Sequence, residues 1–267
     1  MVGIVSNNSG NSILQQVQER QNNLLERLAS GRQINSASDG AAAQQIIDRL
    51  TSEIGGNQQA LNNVYDGISL AQVGDAALSG VTNDVNRIRE LSIQAGNGLL
   101  TDADRSALQQ EVTQLQDNIR STLENTDFNG NQLFTADSTI NFQSGSQAGQ
   151  TIGVNTRDLG SALSGILSAD ISTQSGAQAA LDSADDAVET VGSNRAEFGA
   201  IQNRFESTAR QLTESTVNEA AARSRIQDTD FAQAASDLAA NNILSQANIA
   251  VQAQSNQQQS QVLSLLG

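Results

Sequence analysis

A ladder of mostly apolar positions runs through the first half of the chain, and its steps are three or four residues. The mean spacing of 3.5 residues is typical of a helix that packs along one face against partner helices. At 1.5 Å per residue, the pattern predicts a helix about 75 Å long, which needs partners along its whole length. The ladder consists of Ile47, Leu50, Ile54, Asn57, Leu61, Val64, Ile68, Ala71, Asp75, Leu78, Val81, Val85, Ile88 and Leu91.

A second ladder with the same spacing lies in the last third of the chain and continues for more than four heptads. It predicts a helix of about 45 residues, similar in length to the first, and we expect the two helices to pair. The second ladder consists of Leu181, Ala184, Val188, Val191, Arg195, Phe198, Gln202, Phe205, Ala209, Leu212 and Thr216.

Shorter amphipathic patterns at the two ends of the chain predict a first helix over residues 11–30, ended by Gly31, and a last helix that starts near Phe231. Helices of about 20 residues are marginal in water, and these stripes have only each other and neighbouring copies to pack against. We therefore predict that they mediate subunit packing. The predicted packing residues are Leu14, Val17, Leu24, Leu28, Leu238, Leu244, Val251, Leu263 and Leu265.

The spacing of apolar residues changes in the middle of the chain. A helix is predicted from Thr101 to about Glu124, and a turn at Asn129–Gly130 opens a small hairpin region over residues 128–160. Short β-prone runs occupy residues 132–134, 139–142 and 151–154. The predicted fold class is mainly α: a long antiparallel coiled-coil helical bundle with a small β-hairpin region.

Composition supports long helices, because the 267 residues include no Pro, and the 3% aromatic content leaves Ala, Leu, Ile and Val to build the core. The net charge of -15 argues against nucleic acid and anionic membranes as partners. No run approaches the roughly 18 apolar residues of a membrane span, so we expect no membrane insertion. The amino terminus does not have the pattern of a Sec-type signal peptide.

The chain has no Cys and no His, and every basic residue is Arg. The usual nucleophile–base pairs, Schiff-base lysines and His or Cys zinc sites cannot be assembled, so we predict no enzyme activity and no cofactor. Close carboxylates such as Asp185 and Asp186, Asp102 and Asp104, or Asp228 and Asp230 leave a calcium site as an alternative. Their spacing is not that of a calcium-binding hand, and helix caps and solvated charges are the default interpretation.

Six motifs along the chain resemble bacterial flagellin and occur in that family's order. They are Ile34-Asn35-Ser36-Ala37, Asp66-Gly67-Ile68-Ser69-Leu70-Ala71-Gln72, Arg87-Ile88-Arg89-Glu90-Leu91, Gln202-Asn203-Arg204-Phe205, Ala222-Arg223-Ser224-Arg225-Ile226 and Val262-Leu263-Ser264-Leu265-Leu266-Gly267. The resemblance covers the chain outside residues 128–175. It implies a short form that lacks large variable outer domains.

The resemblance also implies a domain organisation. Residues 1–43 and 226–267 would form the inner-core helical domain, which becomes the inner tube of a filament. Residues 44–127 and 176–225 would be the rod helices of the outer-core domain, which forms the surrounding shell. Residues 128–175 would be a small hairpin or irregular segment of that outer core.

By the same resemblance, the protein would be a secreted subunit that polymerises with itself into the extracellular flagellar filament for swimming motility. Its other partners would be the flagellar type III export apparatus, an export chaperone on the carboxyl-terminal helices, the filament cap and the hook–filament junction proteins. A vertebrate Toll-like receptor would recognise Arg87, Leu91 and Glu111; otherwise these are ordinary rod residues. A hook–filament junction protein is the alternative function.

Overall fold

A computed structural model describes the backbone of residues 2–266 and the side chains of residues 12–258, 260 and 261. Seven helices and four short strands follow one another along the chain. The helices are α1 (Val2–Ser30), α2 (Ala37–Ala95), α3 (Asp102–Asn125), α4 (Leu159–Ala162), α5 (Ser164–Leu167), α6 (Gln174–Gln227) and α7 (Phe231–Leu266). The strands are β1 (Asp127–Phe128), β2 (Asn131–Gln132), β3 (Ser138–Gln143) and β4 (Thr151–Thr156).

The predicted mainly helical fold is confirmed, and the helix ends differ from the prediction in detail. Helix α1 begins nine residues before the predicted start at residue 11. Helix α2 begins at Ala37, inside the segment that we expected to be a polar linker, and its backbone leaves helical geometry at Gly40. No helix among residues 2–266 has an apolar stretch long enough to cross a membrane.

The chain forms two compact units. The terminal unit comprises residues 1–54 and 217–267, and the central unit comprises residues 55–216. Helices α2 and α6 contribute residues to both units.

In the central unit the two predicted ladders pair, as the sequence indicated. Nε of Arg195 donates to Oδ1 of Asp75 at 2.8 Å, and Nε of Arg89 donates to Oδ1 of Asp185 at 2.7 Å. Because residue numbers rise along α2 while those of the partners fall along α6, the helices are antiparallel. Asp75 and Arg195 are ladder positions, so the charged member of each ladder is matched by the charged member of the other.

Two glycines of α2 allow phenylalanine rings from α6 to lie directly on its backbone. A Cβ atom at Gly74 would be 2.8 Å from Cζ of Phe198, and one at Gly67 would overlap the ring of Phe205. Each ring also meets another ring edge to face: Phe198 meets Phe134, with ring centres 6.1 Å apart, and Phe205 meets Phe142 at 5.5 Å. Glycine at these two positions therefore permits close approach of the two helices.

The predicted hairpin region is confirmed as two antiparallel hairpins. Asn129 and Gly130 form the turn of the first, with φ values of 52° and 80°. In the second, Ser138 pairs with Thr156 and Gln143 with Thr151, and β4 alternates buried and exposed side chains. The Leu133 and Phe134 side chains lie outside the strands and are fully buried in the core.

A buried arginine that the sequence analysis did not single out closes the turn between α2 and α3. Its guanidinium donates to three backbone carbonyls: Arg105 Nε to Ala95 at 3.0 Å, Nη1 to Leu100 at 2.9 Å and Nη2 to Asn97 at 3.0 Å. Free carbonyls and a partial negative charge mark a helix carboxyl end, so this cation caps α2.

In the terminal unit the two interhelical connections pair with each other. Helix α1 ends at Gly31, which has a φ of 70°, as predicted. The backbone N–H of Gln33 donates to the carbonyl of Gln227 at 2.6 Å, and that of Thr229 donates to the carbonyl of Gly31 at 3.0 Å. Ile34, which is next to these backbone hydrogen bonds in the chain, is buried.

The close approach of the Phe205 ring predicts that Gly67→Ala destabilises the protein. Overpacking a core typically costs about 1–3 kcal/mol, against a gain of about 1 kcal/mol from replacing a helical glycine by alanine. The matched control is Gly80→Ala, since no atom lies within 4 Å of a Cβ there, and this variant should be more stable by about 0.5–1 kcal/mol. Urea unfolding followed by circular dichroism measures both. Equal changes in the two variants would contradict the packing role.

Candidate functional site

The terminal unit is built on the packing of α1 against α7. Nδ2 of Asn241 donates to the carbonyl of Val17 at 3.0 Å, and Nε2 of Gln21 donates to Oδ1 of Asn242 at 2.7 Å. The ring of Phe231 lies beside Gly31 at the other end of the pair, so the helices run antiparallel. Val17 and Ala234 are the buried apolar side chains described on these two helices.

Most of the apolar surface of this helix pair faces outward. Val251 and Ile243 are each 68% exposed, and Phe231 is 57% exposed. A Val, Leu or Ile side chain gains about 1.5–3 kcal/mol when it is fully buried, so this surface favours further packing. The exposed large apolar residues of the terminal unit are Ile13, Leu25, Ile46, Val217, Phe231, Ile243, Leu244, Ile249 and Val251.

The central unit has the opposite distribution. Of the thirteen large apolar side chains that are exposed among those described, nine belong to the terminal unit. The continuous apolar core lies entirely in the central unit, between residues 60 and 212. The two units therefore differ: the central unit leaves four large apolar side chains exposed, and the smaller terminal unit leaves nine of its nineteen described ones exposed.

The structure places the predicted packing residues on both sides of the α1–α7 contact. Val17 is buried, Leu14, Leu24, Leu28 and Leu238 are half-buried, and Leu244 and Val251 are exposed. The Leu263 and Leu265 side chains lie outside the described residues. Sequence periodicity identified the stripe on each helix but missed Ile243 and Ile249. A count of apolar residues on the remaining faces of the last helix would have found them.

An open groove of about 370 Å³ runs between α1 and α7. Its walls combine apolar Leu24 and Leu244 with the guanidinium groups of Arg20 and Arg27 and the carboxylate of Asp237. The groove can therefore accept side chains that are partly apolar and partly charged.

Two of the three predicted receptor-contact residues meet on the surface of the central unit. The Arg87 guanidinium donates from Nε to Oε1 of Glu111 at 2.8 Å and from Nη1 to Oε2 of Glu90 at 3.0 Å. The bond to Glu111, followed by that to Glu90, raises the pKa of Arg87 above its usual value. Arg87 therefore keeps its charge at any physiological pH.

Leu91, the third predicted receptor contact, is not on this surface. Its side chain is 1% exposed and belongs to the apolar core of the central unit. Leu91 is the last position of the first ladder, and it is buried because that ladder faces α6 and α3 rather than solvent. Leu91 is therefore buried in the folded chain, and its part in receptor recognition stays a prediction.

Five of the six carboxylates that we considered as a possible calcium site have partners inside the chain: Asp102, Asp104, Asp185, Asp228 and Asp230. Asp104 accepts from the backbone N–H and the hydroxyl of Thr101 in a capping box, and these hydrogen bonds lower its pKa below the usual value. Asp230 caps the start of α7 by accepting from the N–H groups of Ala232 and Gln233. Among the described side chains, no group of three or more potential metal ligands comes together.

Comparison with known proteins assigns the family. The model of the bacterial flagellin N-terminal helical region matches residues 4–139, and that of the bacterial flagellin C-terminal helical region matches residues 181–266. A flagellin from Halalkalibacterium halodurans is 37% identical over 246 residues, which cover 91% of this chain and 90% of that protein. A flagellin from Bacillus subtilis is 37% identical over 277 residues, with 91% of each chain covered.

Solved structures agree with this assignment. The crystal structure of Bacillus cereus flagellin is similar to 61% of this chain and 94% of its own, with a TM-score of 0.53 and 32% identity. A putative flagellar hook-associated protein from Vibrio parahaemolyticus has a TM-score of 0.60, covering 71% of this chain and 100% of its own. At 18% identity the second likeness shows the fold alone. On the family matches and the extent of sequence identity, the chain belongs to the bacterial flagellins.

Proposed function

We propose that this flagellin assembles through its terminal unit, with α1 and α7 of many copies packed into an inner tube and the central unit in a surrounding shell. As a flagellin, the chain is a structural subunit of the flagellar filament. The observation that carries the proposal is the exposed apolar surface of the α1–α7 pair. Copies of the same chain are the natural cover, since a filament brings identical surfaces together at high local concentration.

The remaining proposed partners are those of export and assembly, which we infer from family membership. We propose that the chain leaves the cell by flagellar type III export and resides in the extracellular filament. A chaperone on the carboxyl-terminal helices would cover their exposed apolar residues before assembly, which is consistent with the exposure of Ile243, Leu244 and Val251. The filament cap and the hook–filament junction proteins complete the set of assembly partners.

The division into inner core (1–43 and 226–267) and outer core (44–127, 128–175 and 176–225) remains part of this proposal. The compact units divide the chain at residues 54 and 216 instead. No observation favours the alternative of a hook–filament junction protein, because the hook-associated neighbour shares the fold alone.

Deletion of either terminal helix tests the proposal. Purified chains should form long uniform tubes when short filament seeds or a precipitating salt is added, as seen by electron microscopy and sedimentation. Chains that lack residues 1–30 or 240–267 should remain unpolymerised, because each deletion removes one partner of the α1–α7 pair. The helical signal and unfolding transition of the central unit should persist, since its core lies between residues 60 and 212. Normal tubes from either deletion would overturn the role of the terminal helices.

We propose a second role for the ion-paired Arg87 and Glu111 as part of a surface recognised by a vertebrate Toll-like receptor. Both side chains are on the surface of the central unit, and Leu91 contributes through packing rather than contact. The guanidinium is held in place by two carboxylates, which makes it a preformed donor for a receptor.

Substitution of Arg87 by Ala should lower receptor activation in reporter cells by roughly tenfold, the loss expected for one charged hydrogen-bonded contact. Arg120→Ala is the matched control, because Arg120 is exposed to the same degree on the following helix and is also ion-paired, with Asp117 at 2.8 Å. Similar potency of the two variants would remove Arg87 from the receptor surface.

A further inference from the structure

The charged residues of α1 form no ion pairs among the described residues, whereas most arginines of the central unit do. Six of the eight arginines in the central unit form ion pairs within the chain, namely Arg87, Arg89, Arg105, Arg120, Arg157 and Arg195. Helix α1 carries four charges: Glu19, Arg20, Glu26 and Arg27. None of these four forms an ion pair within the described part of the chain.

The spacing of the four residues prevents pairing along the helix. An ion pair on a helix surface joins residues three or four positions apart. The opposite charges here are one, six or eight positions apart. Like charges are seven apart, so Glu19 and Glu26 lie on one line along the helix, and Arg20 and Arg27 lie on a second line about 100° around the axis. We call these lines the carboxylate column and the guanidinium column.

Helix α7 forms no ion pair with either column in the described part of the chain. Asp237 is its only charged residue between Phe231 and Leu266, so α7 offers no cation to the glutamates. Asp237 lines the same groove as Arg20 and Arg27 but accepts a hydrogen bond from Gln233. Arg27 helps to lower the pKa of Asp39, after the hydrogen bonds from the N–H groups of Asn35 and Ser36. Glu19, Arg20 and Glu26 are exposed, and Arg27 is half-buried.

We propose that α1 helices of neighbouring copies lie side by side in the filament, and that the carboxylate column of one copy pairs with the guanidinium column of the next. This inference rests on the proposed function of the terminal unit. Within each column the two charges are about 10.5 Å apart along the helix axis. Copies in the same orientation share this spacing, so two glutamates of one copy can meet two arginines of the next. Because the columns are on different faces, the contact is heterologous and continues from copy to copy, as filament growth requires.

Charge exchange tests the pairing. Glu19→Arg with Glu26→Arg makes both columns positive, and Arg20→Glu with Arg27→Glu makes both negative. Each double variant should raise the critical concentration for seeded polymerisation by roughly tenfold or more, since two attractions become repulsions. The fourfold variant combines all four exchanges and swaps the columns, so it should polymerise within about threefold of the unmodified chain. The two double variants should polymerise when mixed in equal amounts.

A change in net charge alone predicts a different pattern. Each exchange of Glu for Arg adds two positive charges, so the first double variant moves the net charge from -15 to -11 and lowers the general repulsion between copies. Lower general repulsion would reduce the critical concentration of the first double variant, whereas column pairing predicts that its critical concentration rises. A helical circular dichroism signal equal to that of the unmodified chain checks that all three variants keep their terminal helices.

The outcomes separate this inference from the proposed function. If the unmodified chain fails to polymerise, both are overturned. If it polymerises and either double variant matches it, or if the fourfold variant is as impaired as the doubles, the column pairing is overturned and the proposed assembly through the terminal unit stands.

Discussion

Two helices packed side by side bury one stripe of each helix, and any apolar residue on another face stays exposed until something else covers it. This constraint governs the terminal unit. Helices α1 and α7 use their contact to bury Val17 and Ala234, while Ile243, Ile249 and Val251 point away from it. A structure that leaves these side chains uncovered in one copy is suited to assembly, because adding further copies removes apolar surface from water.

The central unit follows the opposite principle. Its hairpins and short helices form a layer beside the long helices, where the Phe134 and Phe142 rings meet Phe198 and Phe205 over the glycines of α2. Buried Gln116 fixes this layer to α3 by donating to the carbonyls of Ile166 and Ala169 at 2.9 Å. Most of its arginines are neutralised internally. This unit is complete within one chain, which frees its surface for other roles.

Helix type, helix pairing and the hairpin region could be predicted from the sequence, because apolar periodicity and the Asn129–Gly130 turn are local signals. Positions that depend on long-range contacts could not. Arg105 looks like an ordinary exposed residue in a helical pattern, yet the fold turns it back onto the end of α2. Leu91 was predicted as a receptor contact by resemblance, although its own ladder position indicated burial. The sequence also showed Asp75 and Arg195 in the ladders without showing that they meet.

Amide hydrogen exchange on the single chain and on the filament tests most directly whether neighbouring copies complete the terminal unit. We expect rapid exchange in residues 12–30 and 231–258 of the single chain, and strong protection of the same amides in the filament. Core amides of the central unit, such as those of Val85 and Val191, should be protected to a similar degree in both states. Equal protection of the terminal helices in the two states would show that neighbouring copies do not complete the terminal unit.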